Sequence, residues 1–127
     1  MSIAYLITQK EIAVLRAMVK REKWMGKSGE LPSILEKLTR RGYVFQKNQS
    51  YTIERVIYGL VVAMEKTPKE SVLSDGENKL YKNSGLWIFL EKDPRSKTQY
   101  KLKPFPGKNA FEASEEGQKF SGACSDE

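Results

Sequence analysis

Histidine is absent from this 127-residue chain, and Cys124 is its only cysteine. Without histidine the commonest general base and the commonest metal ligand are missing. Ser–His, Cys–His and His–metal sites are therefore excluded. One thiol forms neither an intrachain disulfide nor a cysteine-based zinc cluster. Long hydrophobic runs are missing too. The longest, Val56 to Met64, is interrupted by Tyr58 and Gly59 and falls well short of a bilayer. Met1-Ser-Ile-Ala-Tyr-Leu-Ile has no basic n-region, so it is not read as a signal peptide. The expectation is a cytoplasmic protein with no membrane partner. Carboxylates are present but scattered. Glu11, Glu22 and Glu30, or Asp75, Glu77, Glu91 and Asp93, show no ligand-like spacing, and no glycine-rich phosphate loop follows a strand pattern. No catalytic residue, cofactor or metal site is assigned, and an enzyme is not expected.

What the chain has is positive charge, unevenly spread. Its net charge is +6. Residues 1–111 hold 21 Lys/Arg against 11 Asp/Glu, whereas residues 112–127 set Lys119 against five carboxylates. The reading is a basic domain over 1–111 and an acidic C-terminal tail over 112–127, expected to be disordered. A cationic body favours polyanionic partners through counterion release. At 39 % hydrophobic and 30 % charged residues, the chain can support one core.

Periodicity predicts three helices. Thr8-Gln9-Lys10-Glu11 has the capping-box pattern, and Ile12, Leu15 and Val19 follow at helical spacing to about Trp24. A second helix is expected over Pro32–Arg41, with Gly42 as its left-handed cap and Tyr43-Val44-Phe45 leaving it extended. The third is expected over Thr52–Lys66, capped by Ser50 or Thr52, with Ile53, Val56, Ile57, Leu60, Val61 and Met64 on its apolar face. Residues 67–84 read as a polar connection. Leu86–Leu90 and Thr98–Pro104 then alternate as two strands of a hairpin around Asp93-Pro94-Arg95-Ser96.

Three helices followed by a hairpin with a basic loop resemble the winged helix-turn-helix group, over roughly residues 5–105 and in element order only. The resemblance implies an α+β fold, a winged helix-turn-helix, and a DNA-binding regulator of transcription that prefers double-stranded DNA. Its third helix would enter the major groove with Tyr51, Thr52 and Arg55, beside Gln49, Ser50, Glu54 and Tyr58. The guanidinium of Arg55 suits guanine or phosphate. The wing would offer Lys92, Arg95, Lys97 and Lys101, with Arg40, Arg41 and Lys47 on phosphates near the turn.

A second register stays open. Ser33 to Arg41 followed by Gly-Tyr-Val resembles the recognition helix and strand of MarR-like regulators, which would turn Ser33, Lys37, Arg40 and Arg41 to DNA and leave the third helix to build a homodimer. Another class also stays open: a basic adaptor or inhibitor docking on an acidic or nucleic-acid-binding protein. Binding of RNA or single strands is a third reading.

Overall fold

In the computed structural model, which describes residues 4–24, 26 and 28–123, Thr8 opens the first helix as its spacing predicts. The Thr8 hydroxyl accepts from the Glu11 amide at 3.1 Å, and the Thr8 amide donates to Glu11 Oε1 at 2.8 Å. This helix, α1 (Gln9–Lys20), stops earlier than expected, because Arg21 adopts the left-handed conformation at φ 58°. The second, α2 (Leu31–Arg41), ends on Gly42 at φ 81°, whose amide closes onto Leu38 and Thr39 carbonyls. Only a residue that tolerates positive φ stops a helix this way without strain.

The expected third helix is partly something else. Val44–Lys47 (β2) and Ser50–Ile53 (β3) pair antiparallel as a hairpin, Phe45 opposite Thr52 and Lys47 opposite Ser50. Asn48 and Gln49 form its two-residue turn, with Asn48 at φ 59°, a conformation asparagine tolerates better than most residues. Ser50 and Thr52, expected as helix caps, are strand residues. The helix, α3 (Arg55–Lys66), starts three residues late. Glu54 caps it instead: its Oε1 accepts from the Ile57 amide at 3.0 Å.

The winged-helix expectation is overturned beyond this point. Val72–Ser74 (β4), Lys79–Asn83 (β5), Leu86–Lys92 (β6) and Gln99–Phe105 (β7) make consecutive antiparallel pairs. Tyr5–Thr8 (β1) completes a five-stranded sheet in the order β1-β7-β6-β5-β4. The would-be wing is thus two inner strands of a sheet rather than a free ribbon. The polar 67–84 connection supplies β4 and β5, joined by a turn in which Asp75 Oδ1 accepts from the Glu77 and Asn78 amides.

Two further helices follow, α4 (Lys108–Ala113) and α5 (Glu115–Ala123). Residues 112–123, expected to be a loose tail, are thus helical apart from Ser114; Cys124 and the rest of that segment lie outside the described residues. Phe111 and Phe120 from these helices are buried with Leu80, Phe89 and Phe105 from the sheet. Ring centroids stand 5.2–5.4 Å apart between Phe111 and Phe105, Phe111 and Phe89, and Phe120 and Phe89, inside the favourable aromatic range. Gly117 permits the tight α4–α5 corner, since a Cβ there would collide with the Phe111 carbonyl.

The chain divides into two compact units: residues 8–65, and residues 1–7 with 66–127. In the first, Ile12, Leu15, Ile34, Leu38, Val44, Ile57, Leu60 and Met64 are buried. In the second, the aromatic cluster is the core.

Candidate nucleic-acid interface

Half of the eight cations named from the sequence, Arg40, Arg41, Lys92 and Arg95, have an ion-pair or hydrogen-bond partner. Arg41 donates through Nε to Glu11 Oε2 at 3.1 Å. Glu11 is 1 % exposed, so this pair ties α2 to the cap of α1 and answers a buried charge that would be costly alone. Arg40 reaches Glu36 one turn back on α2. That carboxylate is exposed beside Lys37 and would repel a phosphate approaching the helix. The Ser33–Arg41 register therefore has one arginine committed and another balanced.

The four wing cations belong to the sheet unit. Lys92 donates to the Lys97 carbonyl at 2.9 Å and lies 5.7 Å from the Tyr100 ring centre. Lys101 stands opposite Glu91 in the β6–β7 register. Arg95 is 84 % exposed at its side chain, 3.7 Å from Asp93, and Lys97 is exposed. The concavity at this loop, about 570 Å³, takes lining from both Asp93 and Glu77. The Arg95 amide hydrogen-bonds the Asp93 carboxyl and, with the charges of Arg95 and Lys101, holds it below its ordinary range despite opposing desolvation. It is therefore ionised at neutral pH and cancels charge locally.

Residues 8–65 present a different balance, 11 Lys/Arg against six Asp/Glu, whereas the sheet unit has 11 against ten. Part of this excess is spent internally. Arg16 and Lys20 both engage Glu65. Burial works against the charge of that carboxyl, yet hydrogen bonds and attraction from the two cations outweigh it and hold the group below its usual range. Arg21, Lys23, Lys37, Lys47 and Arg55 are exposed, and none has an ion-pair partner among the described residues.

Two of these free cations converge. Arg21, Tyr51, Thr52, Arg55 and Tyr58, with Met18 among the apolar residues beneath, line a cleft of about 560 Å³, and no carboxylate lines it. The end of α1, the second strand of the hairpin and the first turn of α3 supply these side chains. Neither arginine sits where folding alone would choose it. Arg21 occupies a left-handed cap, where glycine would avoid a cost on the order of 1 kcal/mol. Arg55 begins α3, at the end of a helix dipole that disfavours cations. Glu54, which on the expected reading face would repel phosphate, turns its carboxylate to the helix amide.

The structure thus brings together Tyr51, Thr52 and Arg55 of the predicted set, along with Tyr58. Lys47 remains exposed beside the hairpin turn, and Arg40, Arg41, Lys92, Arg95, Lys97 and Lys101 lie outside the cleft. Sequence reasoning did not name Arg21 as a site residue. The available signal was an arginine at the point where a glycine usually stops a helix.

No family model, curated protein or solved structure matches the chain. Among the described residues no helix is long and apolar enough to cross a membrane, and no group of three or more acidic or cysteine side chains could hold a metal ion.

Proposed function

We propose that the chain binds nucleic acid through residues 8–65. The observation that carries this reading is the cleft between Arg21 and Arg55, which combines two unpaired guanidinium groups with three hydroxyls and no carboxylate. Guanidinium groups fit phosphate oxygens through paired hydrogen bonds, and hydroxyls add donors to the same oxygens. Lys23, Lys37 and Lys47 add exposed charge within the same unit. An enzymatic role has no comparable support.

The test is a fluorescence-anisotropy titration of labelled oligonucleotides across salt, from about 50 to about 200 mM. Affinity should fall steeply with salt. Arg21→Ala and Arg55→Ala should each weaken binding and lower the salt slope by about 1, the signature of one lost phosphate contact. An unchanged slope in both variants would remove the cleft from the interface.

A role in regulating transcription from the cytoplasm is the finer form of this proposal, and it requires that affinity depend on DNA sequence. The competing reading is a basic adaptor for an acidic protein surface. The exposed apolar side chains of Phe45 and Val56 favour it, and it predicts little affinity for any oligonucleotide.

A further inference from the structure

The phenylalanines of the two units are used in opposite ways. Phe89, Phe105, Phe111 and Phe120 are buried in the sheet unit, whereas Phe45 is 52 % exposed and Tyr58 is 49 % exposed. An isolated exposed apolar side chain is ordinary. Phe45 is not isolated from the cleft. Its cross-strand partner is Thr52, a lining residue, and residues opposite one another on a hairpin share a face. Lys47 and its partner Ser50 lie on that face too, and all four are exposed. From Val44 to Ile53 the hairpin has no carboxylate. Aromatic, cationic and hydroxyl groups thus form a continuous surface from the hairpin to Tyr58 and Arg55.

We infer that the nucleic acid taken by this surface is unpaired: Phe45 and Tyr58 each stack one exposed base while Arg21 and Arg55 hold the intervening phosphate backbone. This inference rests on the nucleic-acid reading of the cleft and adds the state of the strand. Stacking needs a base face that a duplex keeps covered, and aromatic platforms flanked by cations are the general solution for single strands. Duplex reading through a helix would need hydrogen-bond groups along its outward side. On α3 that side offers Arg55 in the first turn, then Val56, Tyr58 and Gly59, of which only Tyr58 has a polar group, and Lys66 only at the last residue. With the wing built into a sheet, the ground for preferring a duplex is gone as well.

The experiment compares one labelled oligonucleotide of mixed sequence, single-stranded and annealed to its complement, at the same salt. The full chain should bind the single strand more tightly. Phe45→Ala should lower single-strand affinity by about 5-fold to about 150-fold, the range for loss of one stacked base, and leave the weaker duplex affinity unchanged. Tyr58→Ala, which also removes a hydroxyl from the cleft, should lower single-strand affinity more than duplex affinity. Phe45→Trp, which keeps a platform, should retain binding where the alanine variant loses it. Both positions are exposed, and circular dichroism should show unaltered folding. Equal or tighter duplex binding, with no effect of the aromatic variants, overturns the inference and leaves the nucleic-acid proposal standing. Absence of affinity for either form at low salt overturns both.

Discussion

Residues 8–65 and the sheet unit hold the same number of cations, yet they treat them differently. In the sheet unit acidic residues nearly match the cations in number, 11 Lys/Arg against ten Asp/Glu. Among the described residues only Arg95 and Lys103 of that unit stand within ion-pair distance of one, and Lys66, Lys69, Lys79, Lys97, Lys108 and Lys119 are exposed without an ion-pair partner. Lys103 of β7 sits nearly buried between Glu91 of β6 at 2.7 Å and Glu116 of α5 at 2.6 Å, and so fastens α5 to the sheet. In residues 8–65 five exposed cations are left without an ion-pair partner, and two of them share one cleft. Four phenylalanines are interior in the sheet unit, whereas Phe45 and Tyr58 face outward in residues 8–65, where Tyr43 is the buried ring. Neither cation number nor aromatic number marks a binding surface. Under the proposed function, what marks it is a cleft where two cations and three hydroxyls gather without a carboxylate.

The largest effect that would sharpen this contrast is expected at Phe120. Phe120→Ala empties a site ringed by Phe89 and Phe111 and should cost about 3–5 kcal/mol, read from the denaturation midpoint. The fraction that stays folded should bind oligonucleotide with unchanged affinity. A loss of affinity in that fraction would break the separation of roles.

The next effect is pH dependence. For Glu116 burial opposes the charged form, but Lys103 and local hydrogen bonds outweigh it, so its pKa lies below the ordinary 4.5. Its contribution to stability is therefore present above that value and is lost as pH falls through the lowered one. For Lys103 burial again opposes the charge, and Glu116 and Glu91 outweigh it, raising the pKa above 10.5. That contribution is present below 10.5 and is lost as pH rises through the raised value. Melting temperature should be flat near neutrality and fall at both extremes. Glu65 adds to the acid limb from residues 8–65, while Lys103 places an alkaline limb in the sheet unit. Glu116→Gln should lower the neutral plateau and weaken both limbs. An alkaline limb identical to that of the parent would show that the triad is not its source.

The smallest expected effect is at the turn once expected to be a wing tip. Arg95→Ala should change stability by no more than about 0.5 kcal/mol and leave oligonucleotide affinity within error, in contrast to Arg55→Ala. A tenfold loss of affinity would return the 93–98 turn to the interface.

Local chemistry was legible in the sequence. Thr8 with Glu11, and Gly42 after Arg41, mark ends of α1 and α2 through contacts a few residues long. The start of α3 was not, because Ser50, Thr52 and Ile53 satisfy a helix start as well as an alternating strand, and the Asn48–Gln49 turn lacks the glycine that signals a hairpin. Strands β4 and β5 were hidden by their lysines, asparagines and serines, since pairing with β6 fixes them more than their own propensity does. The acidic residues of α5 suggested a solvated tail and obscured Phe120. Tyr51, Thr52, Arg55 and Tyr58 were named from one helix face, and they meet because a strand end and a helix start adjoin. Arg21, from α1, joins them only through tertiary packing.

Arg21 has one more consequence. A glycine in its place would relax the backbone there, and the folded chain would gain a little sturdiness while losing a guanidinium from the cleft. If the proposed function holds, Arg21 is a point where usefulness and robustness pull in opposite directions.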